Sequence, residues 1–382
     1  MGPTETGSGS TSATSLMRAL VNIQGNPQTG TNWQVPSSGQ RVLQRGRAVP
    51  NSGHHPLPDG QAPRSGGQRL RSGEQRTEVR GQLAARRGPT YLRVMLGKEL
   101  RELRERKKKH AEETAGPDDE VGSYTAEAVS TKLGFSRSKL SRVEAGEIPL
   151  PKLADLEALM DEYDVIEPSD RDVLLQMQRD SLKSEPLTTF RNVLPSGMPR
   201  YLGLERESVR IRGFENNVVH GLLQDEQYAN ALMGSAKIVE ERTTDAVERS
   251  VQARMERKTL LDSDREVHII LTESTLRTKI GSPEVMRAQY AEIIRLCEQD
   301  NVEVQIIPED LSTYRAGFCF TVLEFDELDP VVQSDGYRSI TMWSKPSDVG
   351  QYQRQFDAMV KAAPGPSQTP SFLMELEEKL WK

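Results

Sequence analysis

Residues 136–142 read Ser-Arg-Ser-Lys-Leu-Ser-Arg, six hydrogen-bonding side chains in seven positions, three of them cationic. Hydroxyls and cations crowded onto one short helix are the groups that meet base edges and phosphates in the DNA major groove, which admits a single α-helix. Arg137 and Ser138 fall in the expected first turn, where side chains reach base edges. Arg142 comes one turn later, Ser141 shares the outer face, and Lys139 suits either base or phosphate. Ser136 is the expected cap of this helix, Leu140 and Val143 form its inward face, and Gly146 ends it. Thr125 precedes the helix before it, where a hydroxyl and free helix-start amides can hold backbone phosphate. The same charges would equally suit the solvated face of an ordinary helical bundle, and spacing alone does not separate the two readings.

Short helices read DNA only when other elements hold them. Thr125 caps a helix with apolar Val129 and Leu133, and Gly134 fits the left-handed turn between two crossing helices. Upstream, Leu92, Leu96, Leu100 and Leu103 recur at helical spacing, with Lys98, Arg101, Arg104 and Arg106 expected outside that face. Lys107, Lys108 and Lys109 come next, then an acidic loop expected over 112–122 because Gly116-Pro117 cannot continue a helix. Downstream, Pro151 suits the first turn of a helix carrying Leu153, Leu156, Leu159, Met160 and Tyr163, and a further helix is expected over 169–182.

The run from Thr125 through Gly146, above all Ser141-Arg142-Val143-Glu144-x-Gly146, resembles the Xre or phage-repressor type of helix-turn-helix. The resemblance implies a lambda-repressor-like, all-α domain that binds operator DNA as a homodimer. The chain departs from that pattern at Ala126, where Gln is common, at Ser130, where a smaller residue is usual, and by about a dozen extra residues before the motif.

Residues 183–195 read as a polar linker, after which the pattern is mixed. Helices are expected over 204–212, 225–233, 245–261 and 283–299, and strands over 267–272, 302–307, 318–325, 330–333 and 339–343. Tyr201-Leu202-Gly203-Leu204-Glu205, Val219-His220-Gly221-Leu222-Leu223-Gln224 with Tyr228-Ala229, and the stretches 281–289, 301–308 and 320–325 resemble the C-terminal domain of actinobacterial Xre-type regulators of the WhiJ-like, antitoxin-like group. The resemblance implies a repressor whose DNA affinity is set by a very small partner protein encoded nearby. Leu222, Leu223 and Gln224 are candidate partner contacts, although apolar residues in a turn also suit a core. A C-terminal domain that binds a small molecule is the alternative. His220 stands where the group usually has Pro; a lone His is more often a hydrogen-bonded structural residue than a switch.

The 382 residues carry a net charge of −6, which hides a strong asymmetry. Residues 1–93 hold 12 Arg against 4 acidic side chains, and the rest hold 38 basic against 52 acidic. Residues 1–89, rich in Gly, Ser, Pro, Gln and Arg, cannot repay the entropy of ordering and read as a disordered basic arm. An ordinary tail, or an upstream extension of a frame that starts at Val79, Val94 or Met95, reads as well. Cys297 and Cys319 suit free thiols in a reducing cytosol. With no apolar run of about 20 residues and no secretory leader, a cytoplasmic, nucleoid-associated protein is expected, with no membrane partner. No phosphate loop, nucleophile elbow or metal-spaced His pair is visible, so neither an enzyme nor a cofactor or metal is expected. Glu273, Glu324 and Asp326 read as charged strand ends. The fold class expected is multi-domain: disordered arm 1–89, all-α helix-turn-helix domain 90–182, linker 183–195, and α+β regulatory or partner-binding domain 196–382.

Overall fold

A computed structural model describes residues 87–115, 124–185, 189–190, 192–336 and 339–381. The expected arm, 1–89, lies outside the described residues except for its last three. Helix α1 (Pro89–Thr114) opens with Pro in its first turn, where a missing N–H costs nothing, and buries Tyr91, Leu92, Met95, Leu96 and Leu100. It runs on through Glu112 to Thr114, into the expected loop, because Gly116-Pro117 halts the helix only from Ala115 onward. After it come α2 (Ala126–Lys132), α3 (Lys139–Glu144), α4 (Leu153–Glu162) and α5 (Pro168–Ser181). Helix α1 packs along α5 and across α3, and the five helices share a core that includes Val129, Leu140, Val143, Leu156, Leu159 and Leu174.

The C-terminal half begins with α6 (Met198–Glu205) and continues through β1 (Arg210–Glu215), α7 (Glu226–Ser235), α8 (Thr244–Lys258), β2 (Glu266–Thr272), α9 (Glu273–Arg277), α10 (Pro283–Leu296), β3 (Val302–Ile307), β4 (Phe320–Glu324), β5 (Val331–Asp335), β6 (Ile340–Trp343), α11 (Pro346–Ala362) and α12 (Thr369–Leu380). Among the described residues these strands form one six-stranded mixed sheet in the order β3-β2-β1-β4-β5-β6. β1, β2 and β3 run parallel, and β4, β5 and β6 are joined antiparallel. Helices followed by an α+β unit is the fold class the sequence led us to expect.

Alternation along the strands separates two cores. Ile211, Val267, Ile269, Val304, Ile306 and Leu323 face the helices on one side, while Phe214, Ile270, Phe320, Val322 and Val332 face α11 on the other. Gln305, a polar residue between Val304 and Ile306 in β3, is buried: its amide donates to Pro364 O at 2.8 Å and its Oε1 meets His268 Nε2 at 2.7 Å. The helix expected over 204–212 is a correction. The helical turn ends at Glu205, and from Arg210 the chain forms the central strand β1, registered between β2 and β4. Ile211 and Phe214 then point to opposite cores, so pairing on both edges overrides local preference.

The first core is continuous across the chain. It joins Tyr91, Leu92 and Leu96 of α1 to Tyr201, Leu202 and Leu204 of α6 and on to the sheet. Tyr91 meets Phe325 edge-on at 5.9 Å, Lys98 Nζ donates to Glu327 O at 2.9 Å, and Thr90 N donates to the Glu185 carboxylate at 2.6 Å. Helix α1 therefore belongs to both halves. Among the described residues no helix is long and apolar enough to cross a membrane.

Candidate nucleic-acid interface

Thr125 caps α2 by accepting the Ala128 amide at 3.1 Å, which leaves its hydroxyl exposed at the helix start. The next turn uses Gly134 at φ +69°, and Phe135 N returns to Ser130 O at 2.7 Å. Ser130 is fully buried, and its hydroxyl lies 3.4 Å from the Leu140 amide; the residue that departs from the repressor pattern is thus absorbed as a tie between α2 and α3.

The expected cap of α3 moves. Ser136 contributes its carbonyl, which accepts Lys139 N at 2.9 Å, and Arg137 and Ser138 occupy the turn ahead of the helix rather than its first turn. A turn closed by a backbone carbonyl leaves the Ser136 side chain exposed beside Arg137 and Ser138. Ser141 and Arg142 are exposed as well, and Leu140 and Val143 are buried beneath them. The segment is a polar face held from behind. Arg137 pairs with Glu127 at 2.9 Å and Arg142 with Glu147 at 3.5 Å, both in solvent. Lys139 differs: it is half-buried, pairs with Asp155 and lies 4.0 Å over the Phe135 ring.

Two features holding this segment were not legible as such. Arg104, expected outside the apolar face of α1, is buried and grips Glu144 through two hydrogen bonds of 2.7 and 2.9 Å while donating to Tyr124 O at 2.9 Å. A guanidinium enters a core when each edge finds an acceptor, so the missing signal is its partner, Glu144 of the repressor-like motif. Helix α1 also crosses α3 almost backbone to backbone: a Cβ on Gly97 would lie 2.4 Å from Val143 O and 2.7 Å from Glu144 O.

In the C-terminal half the expected partner contacts are corrected. Leu222, Leu223 and Gln224 are fully buried, so none presents a surface to another molecule. Gln224 donates to Val219 O at 2.7 Å and accepts from Arg254 at 2.8 Å, ordering the turn from within. His220 is buried too; its Nδ1 lies 3.3 Å from the Leu222 amide, and burial, with Arg257 and Arg254 nearby, holds its pKa well below 6.5. It has the surroundings of a structural histidine. Glu324 is taken up by Arg210 and Arg212, Asp326 lies 3.5 Å from Arg87, and Glu273 accepts the Glu309 amide at 2.9 Å. Cys297 and Cys319 are free and half-buried, and burial raises both thiols. Among the described residues no His, Cys, Asp and Glu side chains gather as a metal would require.

A cavity of about 920 Å³ opens where the halves meet, lined by the exit of α3, the end of α5 and by α6. Arg200 of α6 reaches across this seam and donates to Ala145 O, at the C-terminal cap of α3, at 2.7 Å.

Residues 95–174 match the family model of a helix-turn-helix domain, which with the polar face held from behind supports a DNA-binding regulator. Residues 198–375 are similar to a second family, described as "Domain of unknown function (DUF5753)". No curated protein and no solved structure matches the chain.

Proposed function

We propose that the chain is a sequence-specific transcriptional repressor of the Xre type, acting on the nucleoid as a homodimer. Each protomer lays the 136–142 segment into the major groove of one half-site, with half-sites roughly one helical turn apart. The observation that carries this reading is the exposed set Ser136, Arg137, Ser138, Ser141 and Arg142, raised on a backbone that Leu140 and Val143 fix from below. Arg137, Ser138 and Arg142 read bases. Thr125, Ser136 and Ser141 hold phosphate, and Lys139, already paired with Asp155, is kept for phosphate at the edge of the face. The exposed pairs of Arg137 and Arg142 with glutamates are worth about 0–1 kcal/mol each, so phosphate displaces them easily.

The test is a footprint and mobility-shift titration on the DNA upstream of the protein's own gene, wild type against Arg137→Ala/Arg142→Ala at fixed salt. A protected two-fold site is expected, lost in the variant, with each base-reading Arg costing about 1–3 kcal/mol. Absence of specific binding in the wild type would return the 136–142 segment to an ordinary solvated helix face.

Control enters through the C-terminal half. A small partner protein encoded nearby is supported by the antitoxin-like resemblance alone, now that Leu222, Leu223 and Gln224 lie in the core. The second reading, a one-component regulator that binds a small molecule, is favoured by the cavity at the seam.

A further inference from the structure

The seam cavity is of the size that holds small organic ligands, about 300–1,000 Å³. Its wall is mixed, with Leu202 and Leu260 giving apolar surface and Arg93 and Arg200 giving charge. Carboxylates are present but partly engaged: Glu205 is held by Arg257 through two hydrogen bonds of 2.6 Å, and Glu185 accepts the Thr90 amide. Arg200 is in a different position. It forms no ion pair among the described residues, its hydrogen bond goes to the neutral Ala145 carbonyl, and its Nε is buried without a partner. A guanidinium so placed gains from a bound anion what the fold does not supply.

We propose that this cavity is an effector site for an organic anion, whose acidic group binds Arg200 and whose apolar body lies against Leu202 and Leu260. The link to DNA comes from the contact Arg200 already makes. Ala145 O is one of the end carbonyls of α3 that have no partner within the helix, and a cationic donor there stabilises the helix end. An anion that recruits the guanidinium competes with that contact, loosens the exit of the reader and weakens operator binding. Burial lowers the Arg200 pKa, the Glu147 carboxylate on the cavity wall offsets part of that and Arg93 adds to it, so a bound anion would relieve what Glu147 does not. The regulatory half of this proposal rests on the DNA-binding reading above; the binding half does not.

The test uses the full chain and two fluorescent probes that differ by one group, 8-anilinonaphthalene-1-sulfonate and N-phenyl-1-naphthylamine. One-to-one saturable binding of the sulfonate is expected, weakened about tenfold by Arg200→Gln through loss of a charge-assisted contact, while the neutral probe is unaffected. Leu260→Trp, which fills the apolar end and leaves the charges alone, weakens both. Sulfonate affinity unchanged in a folded Arg200→Gln protein would overturn the site; should that variant unfold, undiminished binding to Leu260→Trp would do the same. Saturating sulfonate should weaken operator binding several-fold, and operator DNA should weaken sulfonate binding by the same factor. Equal DNA affinity with and without the sulfonate overturns the coupling. Arg200-dependent sulfonate binding by a chain that recognises no DNA would keep the site and discard the repressor, so the two failures are told apart.

Discussion

The Arg104 and Glu144 side chains are each less than a tenth exposed, and two hydrogen bonds of 2.7 and 2.9 Å join them, with Tyr124 O and Glu105 also on the guanidinium. Removing one partner strands a buried charge: Arg104→Met should cost about 3–5 kcal/mol in a urea melt, whereas Arg104→Met/Glu144→Leu together should recover most of that loss. A loss in the double variant equal to the sum of the losses in Arg104→Met and Glu144→Leu alone would mean the pair is not coupled. The sheet interior carries a second test. Burial pushes the Glu215 carboxyl up to about 8, while His220 is held well below 6.5. The folded chain therefore binds Glu215's proton more tightly than the unfolded chain, so that contribution is whole below about pH 4.5 and lost as pH rises through about 8. His220 acts in the opposite sense: its contribution is whole above pH 6.5 and lost as pH falls below it. Glu215→Gln should flatten the loss of stability on the alkaline side, and His220→Gln the loss on the acid side, in melts taken from pH 4.5 to 9 (about the span of the two titrations).

Between α1 and α3 the contact is set by one missing methyl. Gly97→Ala would press a Cβ onto the Val143 and Glu144 carbonyls, and overpacking of this kind costs about 1–3 kcal/mol. Because the strain falls on the backbone that carries Arg142, operator affinity should drop with stability. Gly134→Ala is the comparison: its Cβ would meet nothing within 4 Å, and only the left-handed backbone opposes it, about 1–2 kcal/mol. Comparable loss of DNA binding from both, once stability is matched, would deny α1 a special hold on the reader. These elements also mark how far the sequence could be read. Amphipathic spacing exposed α1, α2 and α4, and the stretches expected over 169–182 and 302–307 match α5 to within a residue and β3 in full. β1 was hidden because its pairing partners, β2 and β4, begin 56 and 110 residues further on, and no local period announces them. The outward residues of 136–142 were legible from type and spacing. Arg104 was not, since a cation with a buried partner looks in sequence like any solvated one, and the cavity was not, since no motif spells an empty volume.

As a whole molecule the described chain shares one core between its helical and α+β halves, through Tyr91, Leu92 and Leu96 of α1. Residues that pack together unfold together, so calorimetry on residues 87–382 should show one transition rather than two. Tyr91→Ala, which empties a fully buried position at the seam, should lower that single transition, at a cost of about 3–5 kcal/mol typical of buried aromatics. Two well-resolved transitions, with only one shifted by the substitution, would show the halves to be independent.

The seam sets the terms on which this protein can be cut and recombined. A fragment taken at the limits of the helix-turn-helix match, 95–174, would discard Tyr91 and Leu92 and cut Leu96 and Leu100 off from the part of their core that lies in the α+β half. Grafting the reader onto another regulator therefore means carrying the helix from Pro89 and offering it a replacement for the surface around Leu202 and Phe325. In design terms the chain is less a pair of exchangeable modules than a single chassis, and a swap of specificity is better made by rewriting the side chains of 136–142 in place.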